Sequence, residues 1–283
     1  MKKYKIKVGI TGYKGVLGSE FIKIYKKKYN LILFKNDIRN KNVVNTWIKE
    51  NRPDAIIHLA AKVEVDYVNK NRKVANDVNY LGTINLINSI KSNKLDTWFF
   101  FASSSHVYQF SNKKLSESSK TLPITFYGKL KLKTEKYLLK QKKLNICIGR
   151  IFSFTHHKQN RTYFVPSMYE KIKKNKNINL NLIENQYRDF LSVKDICNAI
   201  QLLLDLKFKG IINICSSNPV NLFTITSILT KTLKKKGKRM QKSLNHRLSL
   251  NYLVGNNKKL KNLGFKVKSS INTILKNYVN KSS

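Results

Sequence analysis

The stretch ITGYKGVLGSEF (10–21) sets Gly12, Gly15 and Gly18 at GxxGxxG spacing, so three of the chain's 11 glycines fall within seven residues. It follows the apolar segment KIKVGIT (5–11) and runs into a helical pattern that extends to about Asn30. A strand that turns on glycine into a helix is a strong constraint. The small residues permit a tight turn and a close backbone approach, and the helix start, with Val16 and Leu17, offers unpaired N–H groups to a pyrophosphate.

The rest of the first half repeats that alternation. LILF (31–34), AIIHLAA (55–61), TWFFFASSS (97–105) and NICIGRIF (145–152) read as short buried strands. Between them, VVNTWIKENRPD (43–54) reads as a helix stopped by Pro53, VANDVNYLGTINLINSIKSN (74–93) as a long helix, and the stretch from about Thr125 as another. Strands alternating with helices predict an α/β fold with a doubly wound parallel sheet. After Phe154 the pattern loosens: THHKQNRTYFVPS (155–167) reads as a loop, NINLNLI (177–183) as an isolated strand, and GIINICSS (210–217) as one more core strand. The expected division is a dinucleotide-binding domain over 1–154, with 188–217 returning to it. A small α/β substrate-binding subdomain then takes 155–187 and 218–283.

Composition limits the function classes. The 283 residues are 41% hydrophobic and 11% aromatic, which fits an ordered globular chain. No apolar run reaches the ~18–20 residues of a membrane span, and the basic start lacks the long apolar core of a signal peptide. The three cysteines (Cys147, Cys197, Cys215) sit singly in apolar surroundings and read as core thiols of a reducing compartment, so a cytoplasmic location is expected. No metal is expected. The net charge of +41 admits polyanion binding, but the lysines are scattered over the chain and accompany an excess of Asn and Ile. Drift toward A/T-rich codons is the preferred reading over nucleic-acid binding, and some attraction of an anionic substrate remains open.

Chemistry enters with TFYGKLKLKTEKYLLK (125–140), where Tyr127 is followed four residues on by Lys131. In so lysine-rich a chain this spacing is weak, and YEKIK repeats it with Tyr169 and Lys173. Position separates the two. Tyr127 follows the Ser-rich strand end at 103–105 and precedes the strand at 145–152, whereas Tyr169 falls well after the core strands.

In order along nearly the whole chain, TGYKGVLG, NDIRN, PDAIIHLAA, NYLGTINLI, FFASSSHVY, YGKLK, YRDFLSVKDICNAI, INICSS and LKNLGFKV resemble the extended short-chain dehydrogenase/reductase family. The similarity is to its NAD-dependent epimerase/dehydratase group acting on nucleotide sugars. The resemblance implies a Rossmann domain with a small C-terminal substrate domain and Ser104, Tyr127 and Lys131 as catalytic residues. It also implies cofactor contacts from Gly12, Gly15, Val16, Leu17, Gly18, Asp37, Ile38, Leu59, Ala60, Ala61, Asn79, Tyr127 and Lys131. Substrate contacts are expected from Ser104, Ser105, Tyr127, Ser153 and Arg188, with Arg188 on the diphosphate. Members are often dimers, so a homodimer through VNYLGTINLINSI and the Tyr127 helix is expected.

The residue types suit that chemistry. Tyr127 and Lys131 share a helix face. A phenol near pKa 10 needs a neighbouring cation to act as a base at neutral pH. The second strand ends in Lys35 and Asn36 rather than an acid, which favours NADP(H) over NAD(H). The 4,6-dehydratases of this group carry Asp-Glu directly after the catalytic Thr. Here Ser105 and His106 stand in those positions, and His106 reads as a packed or surface residue rather than a replacement acid. The short link from the second strand into NDIRN resembles that of nucleotide-sugar 4-ketoreductases. Reduction of a nucleoside-diphosphate 4-keto-6-deoxy sugar for surface polysaccharide precursors is therefore the expected activity. A 4-epimerase is the alternative, and a non-catalytic dinucleotide-binding protein is a weaker one. Ser153, where many members have Asn, marks a pocket that differs from theirs.

Overall fold

The computed structural model describes residues 5–176, 178, 185–234 and 251–282. The chain opens with β1 (Lys7–Thr11), α1 (Val16–Tyr25), β2 (Asn30–Leu33), α2 (Lys41–Asn51) and β3 (Ala55–His58). Then come α3 (Val65–Lys70), α4 (Arg72–Asn76), a π turn (Asp77–Leu81), α5 (Gly82–Ser92), β4 (Trp98–Ser104) and a 3₁₀ turn (Ser105–Val107). Next are α6 (Phe126–Leu139), β5 (Asn145–Ile151), α7 (Phe164–Lys173), β6 (Gln186–Asp189), α8 (Val193–Asp205) and β7 (Gly210–Ile214). β8 (Pro219–Asn221), α9 (Leu222–Thr232), β9 (Asn251–Leu253), α10 (Lys258–Asn262) and α11 (Ile271–Ser282) complete the described elements.

Six strands form one sheet in the order β2-β1-β3-β4-β5-β7, and the pairs β1–β2, β1–β3, β3–β4 and β4–β5 are parallel. The doubly wound parallel sheet read from the sequence is therefore present. Its strand order reverses between β1 and β3, and at such a switch point the loops part to leave a crevice at the strand C-termini. β3 is buried along its whole length, and Phe99 and Phe101 of β4 face a core shared with Trp47, Ile56, Leu86 and Ile90. Apolar runs rather than alternation are what a sheet covered on both faces requires.

By their contacts, Met1–Gln109, Ser119–Ile151 and Cys197–Ile212 form one unit, and Phe110–Ser118, Phe152–Ile196 and Asn213–Ser283 a second. Against the sequence-based boundaries, 110–118 joins the second unit and the return to the first is 197–212 rather than 188–217. In the second unit β6 lies between β8, antiparallel to it, and β9, parallel to it. Val165, Met168, Tyr169, Leu222, Ile225, Leu229, Leu275 and Val279 make its apolar core.

Three local readings change. The long helix of 74–93 is interrupted by the π turn. The loop read over 155–167 ends early, because α7 starts at Phe164, and Pro166 sits in its first turn where a missing N–H breaks no helical bond. The core strand read over 210–217 stops at Ile214, since Ser216 and Ser217 turn their amides to Asp189. The strand read over 177–183 lies outside the described residues, apart from Ile178. Among the described residues no helix is long and apolar enough to cross a membrane.

Candidate active site

The first turn of the sheet is built by close approach. Gly12 has φ +72°, and a Cβ there would lie 2.6 Å from the Ala60 amide nitrogen and 2.7 Å from the Leu59 carbonyl carbon. Only glycine satisfies both the left-handed backbone and that contact. Gly15 accepts the first helical bond, from the Ser19 amide at 2.9 Å, and has no side-chain cap. The first-turn N–H groups of Val16, Leu17 and Gly18 thus begin a ten-residue helix without a capping side chain. Gly18 is buried against the Gly12–Tyr13 backbone. This cradle, with no room for a side chain at Gly12 and an uncapped start to α1, fits the pyrophosphate of a dinucleotide.

Asp37 lies on the exposed link after β2. Its carboxylate accepts from the Arg39 amide at 2.9 Å, from Nε at 2.9–3.0 Å and from Nη2 at 2.5 Å, and the Arg39 guanidinium holds its pKa below the ordinary carboxylate value. Ile38 turns inward and is buried against Gly82, so its side chain belongs to the core. Leu59, Ala60 and Ala61 are half-buried on the loop leaving β3. Asn79 is buried in the π turn, with its Oδ1 accepting from the Lys62 amide at 2.7 Å and its Nδ2 donating to the Lys62 carbonyl at 2.8 Å. Both ends of its amide are used on that loop.

α6 starts at a side-chain cap: Thr125 Oγ1 accepts from the Gly128 amide at 3.0 Å. Gly128 lets this turn press against the preceding 3₁₀ turn, since a Cβ there would lie 3.0 Å from the His106 carbonyl carbon. Tyr127, in the same turn, is thereby brought to the end of β4. The Lys131 ammonium donates to the Ala102 carbonyl at 2.7 Å and lies 4.7 Å from the Phe101 ring centroid and 5.8 Å from that of Tyr127. Burial brings its pKa down to about 7, against an opposing pull from the Glu135 carboxylate.

Ser104 ends β4, and its Oγ accepts from the His106 amide at 3.2 Å. The His106 ring meets the Tyr127 ring edge-on, with centroids 5.7 Å apart. Ser104, His106, Tyr127 and Lys131 thus form one contiguous set, and Ser105 is buried beside them. His106, read from sequence as a packed or surface residue, is half-buried, and its ring meets that of the tyrosine. The rival pair is structural: Tyr169 is buried, donates to the Ser282 carbonyl at 2.9 Å and stacks edge-on with Tyr278.

Arg188 and Ser153 belong to the second unit. The Arg188 guanidinium donates to the carbonyls of Tyr187 and Asn251 at 2.9 and 3.1 Å, to Asn251 Oδ1 at 3.0 Å and to Gln186 Oε1 at 3.1 Å. Among the described residues it forms no ion pair, and burial lowers its pKa to about 10. A half-buried cation set among neutral oxygens and the Phe110 ring retains its attraction for an anion. Next to it Asp189 fixes β6 by accepting from the Ser216 amide at 2.7 Å, Ser216 Oγ at 2.6 Å and the Ser217 amide at 2.9 Å. The Ser153 carbonyl accepts from the Leu191 amide at 2.9 Å, pairing its segment with that beyond β6.

Residues 14–278 match the profile of the family described as GDP-mannose 4,6 dehydratase. The chain belongs to this family. It is an enzyme of the nucleotide-sugar epimerase/dehydratase group of extended short-chain dehydrogenases/reductases. It is 30% identical over 235 residues to the GDP-6-deoxy-D-talose 4-dehydrogenase of Aggregatibacter actinomycetemcomitans, covering 79% of each chain. It is also 30% identical over 199 residues to the UDP-glucose 4-epimerase of Mycoplasma genitalium, covering 62% of this chain and 58% of that one. The fold matches the solved structure of RMD from Pseudomonas aeruginosa complexed with NADPH, with TM-score 0.86, 20% identity and 98% of each chain covered.

Sequence reasoning missed the support beneath Tyr127 and Lys131. Glu135 lies one helical turn beyond Lys131 and forms a buried ion pair with Arg150 at 2.6 Å, while Ser103 Oγ donates to Glu135 at 2.5 Å. The available signal was the spacing 127–131–135, which sets one acid on the same face of a lysine-rich helix.

Proposed function

We propose that the protein is an NADP(H)-preferring reductase of a nucleoside-diphosphate 4-keto-6-deoxy sugar. One observation carries this reading: a contiguous Ser104–His106–Tyr127–Lys131 set, in which Ser105 and His106 take the positions where the 4,6-dehydratases it resembles have Asp-Glu. Without that acid pair, water elimination has no proton donor and base at the neighbouring carbons. Proton transfer at the carbonyl oxygen keeps its full set.

The dinucleotide would be held by the Gly12–Gly18 turn and the start of α1, and when bound it supplies the hydride that adds to the sugar C4. Ser104 Oγ donates to the C4 oxygen and polarises the carbonyl. The Tyr127 phenol delivers its proton to that oxygen as the C–O double bond becomes single. Lys131, as ammonium, stabilises the phenolate left behind and holds ribose hydroxyls. Arg188 binds the diphosphate of the sugar nucleotide. Because Arg39 neutralises Asp37, Lys62 adds a further positive charge, and Lys35 precedes them in the sequence, the link after β2 favours a 2′-phosphate over a bare ribose.

A 4-epimerase is the second reading, supported by the identity to the Mycoplasma genitalium protein. It would use the same tyrosine twice, with no net change of cofactor. The test is a panel of nucleotide-linked 4-keto-6-deoxy sugars followed by NADPH absorbance, with the parent 4-hydroxy sugars in parallel. The expected result is NADPH consumption on one or more keto sugars, at least ~10-fold more efficient than with NADH, which equals about 1.4 kcal/mol of discrimination. NADH serving as well as NADPH would contradict the assigned preference. Isomerised 4-hydroxy sugar without net oxidation would establish the epimerase.

A further inference from the structure

The buried histidine of AIIHLAA takes no part in the proton transfers above, yet both its ring nitrogens are engaged. His58 Nδ1 lies 2.6 Å from Thr11 Oγ1, and Nε2 lies 2.9 Å from Thr83 Oγ1. The Thr83 hydroxyl donates to the Asn79 carbonyl at 2.9 Å, so its proton is spent and it must accept from Nε2–H. Nδ1 is then unprotonated and accepts from the Thr11 hydroxyl. The Thr11 oxygen in turn accepts from the Ala60 amide at 3.3 Å. Only one tautomer satisfies every group.

This chain of bonds has fixed ends. At one end Thr11 immediately precedes Gly12, whose backbone lies against Leu59 and Ala60. At the other, Asn79 clasps the Lys62 backbone from both sides. Thr11, His58, Thr83 and Asn79 are each at most 2% exposed, so no water substitutes for a lost member. Burial, with Lys131 as a further contributor, brings the His58 pKa down to about 3, and the ring stays neutral over the working range. The π turn at 77–81 suits this arrangement, because a widened turn rotates a residue out of helical register toward its partner.

We infer that His58, as the Nε2–H tautomer, is a positioning residue that sets the gap between the glycine turn and the Leu59–Lys62 loop, and so the affinity for the dinucleotide. This rests on the cofactor reading above. A histidine that merely fills the core would affect stability alone.

The test measures NADPH affinity by fluorescence, together with kcat and melting temperature. Thr11→Val keeps the volume but removes both the donor to Nδ1 and the acceptor for the Ala60 amide. It is expected to raise the Kd for NADPH by ~10-fold, with kcat at saturating cofactor within ~2-fold of wild type. Thr11→Ser restores the hydroxyl and is expected to recover most of the affinity. Tyr29→Phe, which removes a hydroxyl donating to Asp205 at 2.5 Å, serves as a destabilised control with unchanged Kd. A folded Thr11→Val protein that binds NADPH as tightly as wild type overturns the role. Should Thr11→Val not fold, nitrogen NMR of wild-type His58 decides: an unprotonated Nδ1 supports the network, and a protonated Nδ1 overturns it. Wild-type protein that binds neither NADPH nor NADH sinks the cofactor reading itself, which separates the two failures.

Discussion

Tyr127→Phe is expected to lower turnover by ~10²–10⁴-fold while leaving the fold and cofactor affinity close to wild type. The substitution removes one oxygen. The ring keeps its edge contact with His106 and its place beside Lys131, so packing is conserved. In the proposed reduction it is the proton donor to the C4 oxygen that is lost, and water reaches a nearly buried position poorly. The loss corresponds to about 3–5 kcal/mol of barrier at 1.36 kcal/mol per tenfold. Tyr169→Phe is the matched comparison: it removes a hydroxyl that donates to the Ser282 carbonyl and is expected to leave turnover unchanged. Steady-state kinetics of the two variants, with NADPH titrations, check this. Equal small losses in both would remove Tyr127 from the mechanism.

Arg150→Met is expected to cost ~3–5 kcal/mol of stability, the range for stripping one partner from a buried ion pair. The Arg150 and Glu135 side chains are 4% and 1% exposed. Burial works against the Arg150 charge, and the Glu135 carboxylate more than restores it, so its pKa rises. Without Arg150, the Glu135 carboxylate is left with the Ser103 hydroxyl as its donor among the described residues. The uncompensated carboxylate sits one turn from Lys131, so the variant also holds that lysine more firmly as ammonium. The double variant Glu135→Leu/Arg150→Met, which removes both charges, is expected to recover much of the loss, because replacing a buried pair with apolar volume is often near neutral. Denaturant unfolding of the single and double variants checks this. A loss under ~1 kcal/mol in Arg150→Met would show that the pair contributes little.

Much of this molecule can be read from local sequence. Gly12, Gly15 and Gly18 sit where a strand must turn tightly into a helix, and the apolar runs at 55–58 and 98–104 match strands covered on both faces. Tyr127 and Lys131 are legible because helical spacing sets them on one face and their place between the Ser-rich strand end and the strand at 145–152 separates them from Tyr169 and Lys173; Thr125 and Gly128 fix where that helix starts. What escapes is whatever depends on residues distant in sequence. Glu135 finds Arg150 only across the β4–β5 region, His58 finds Thr11 and Thr83 from two other elements, and Asn79 is turned inward by a π turn that propensity does not signal. Segment 110–118 contributes to the second unit although it is flanked by residues of the first. Ile38, expected as a cofactor contact, packs its side chain against Gly82, a long-range contact that the sequence does not signal.

The central claim is hydride delivery to C4 of a keto sugar, and isotope transfer tests it most directly. The enzyme is incubated with NADPH carrying deuterium at the transferable position and with the keto sugar nucleotide that consumes it, and the product is read by mass spectrometry and proton NMR. The account predicts a 4-hydroxy product with one deuterium at C4, one NADP⁺ formed per product, and near-complete loss of both in Tyr127→Phe. Sugar that is isomerised at C4 without deuterium, with the NADPH left intact, would contradict it.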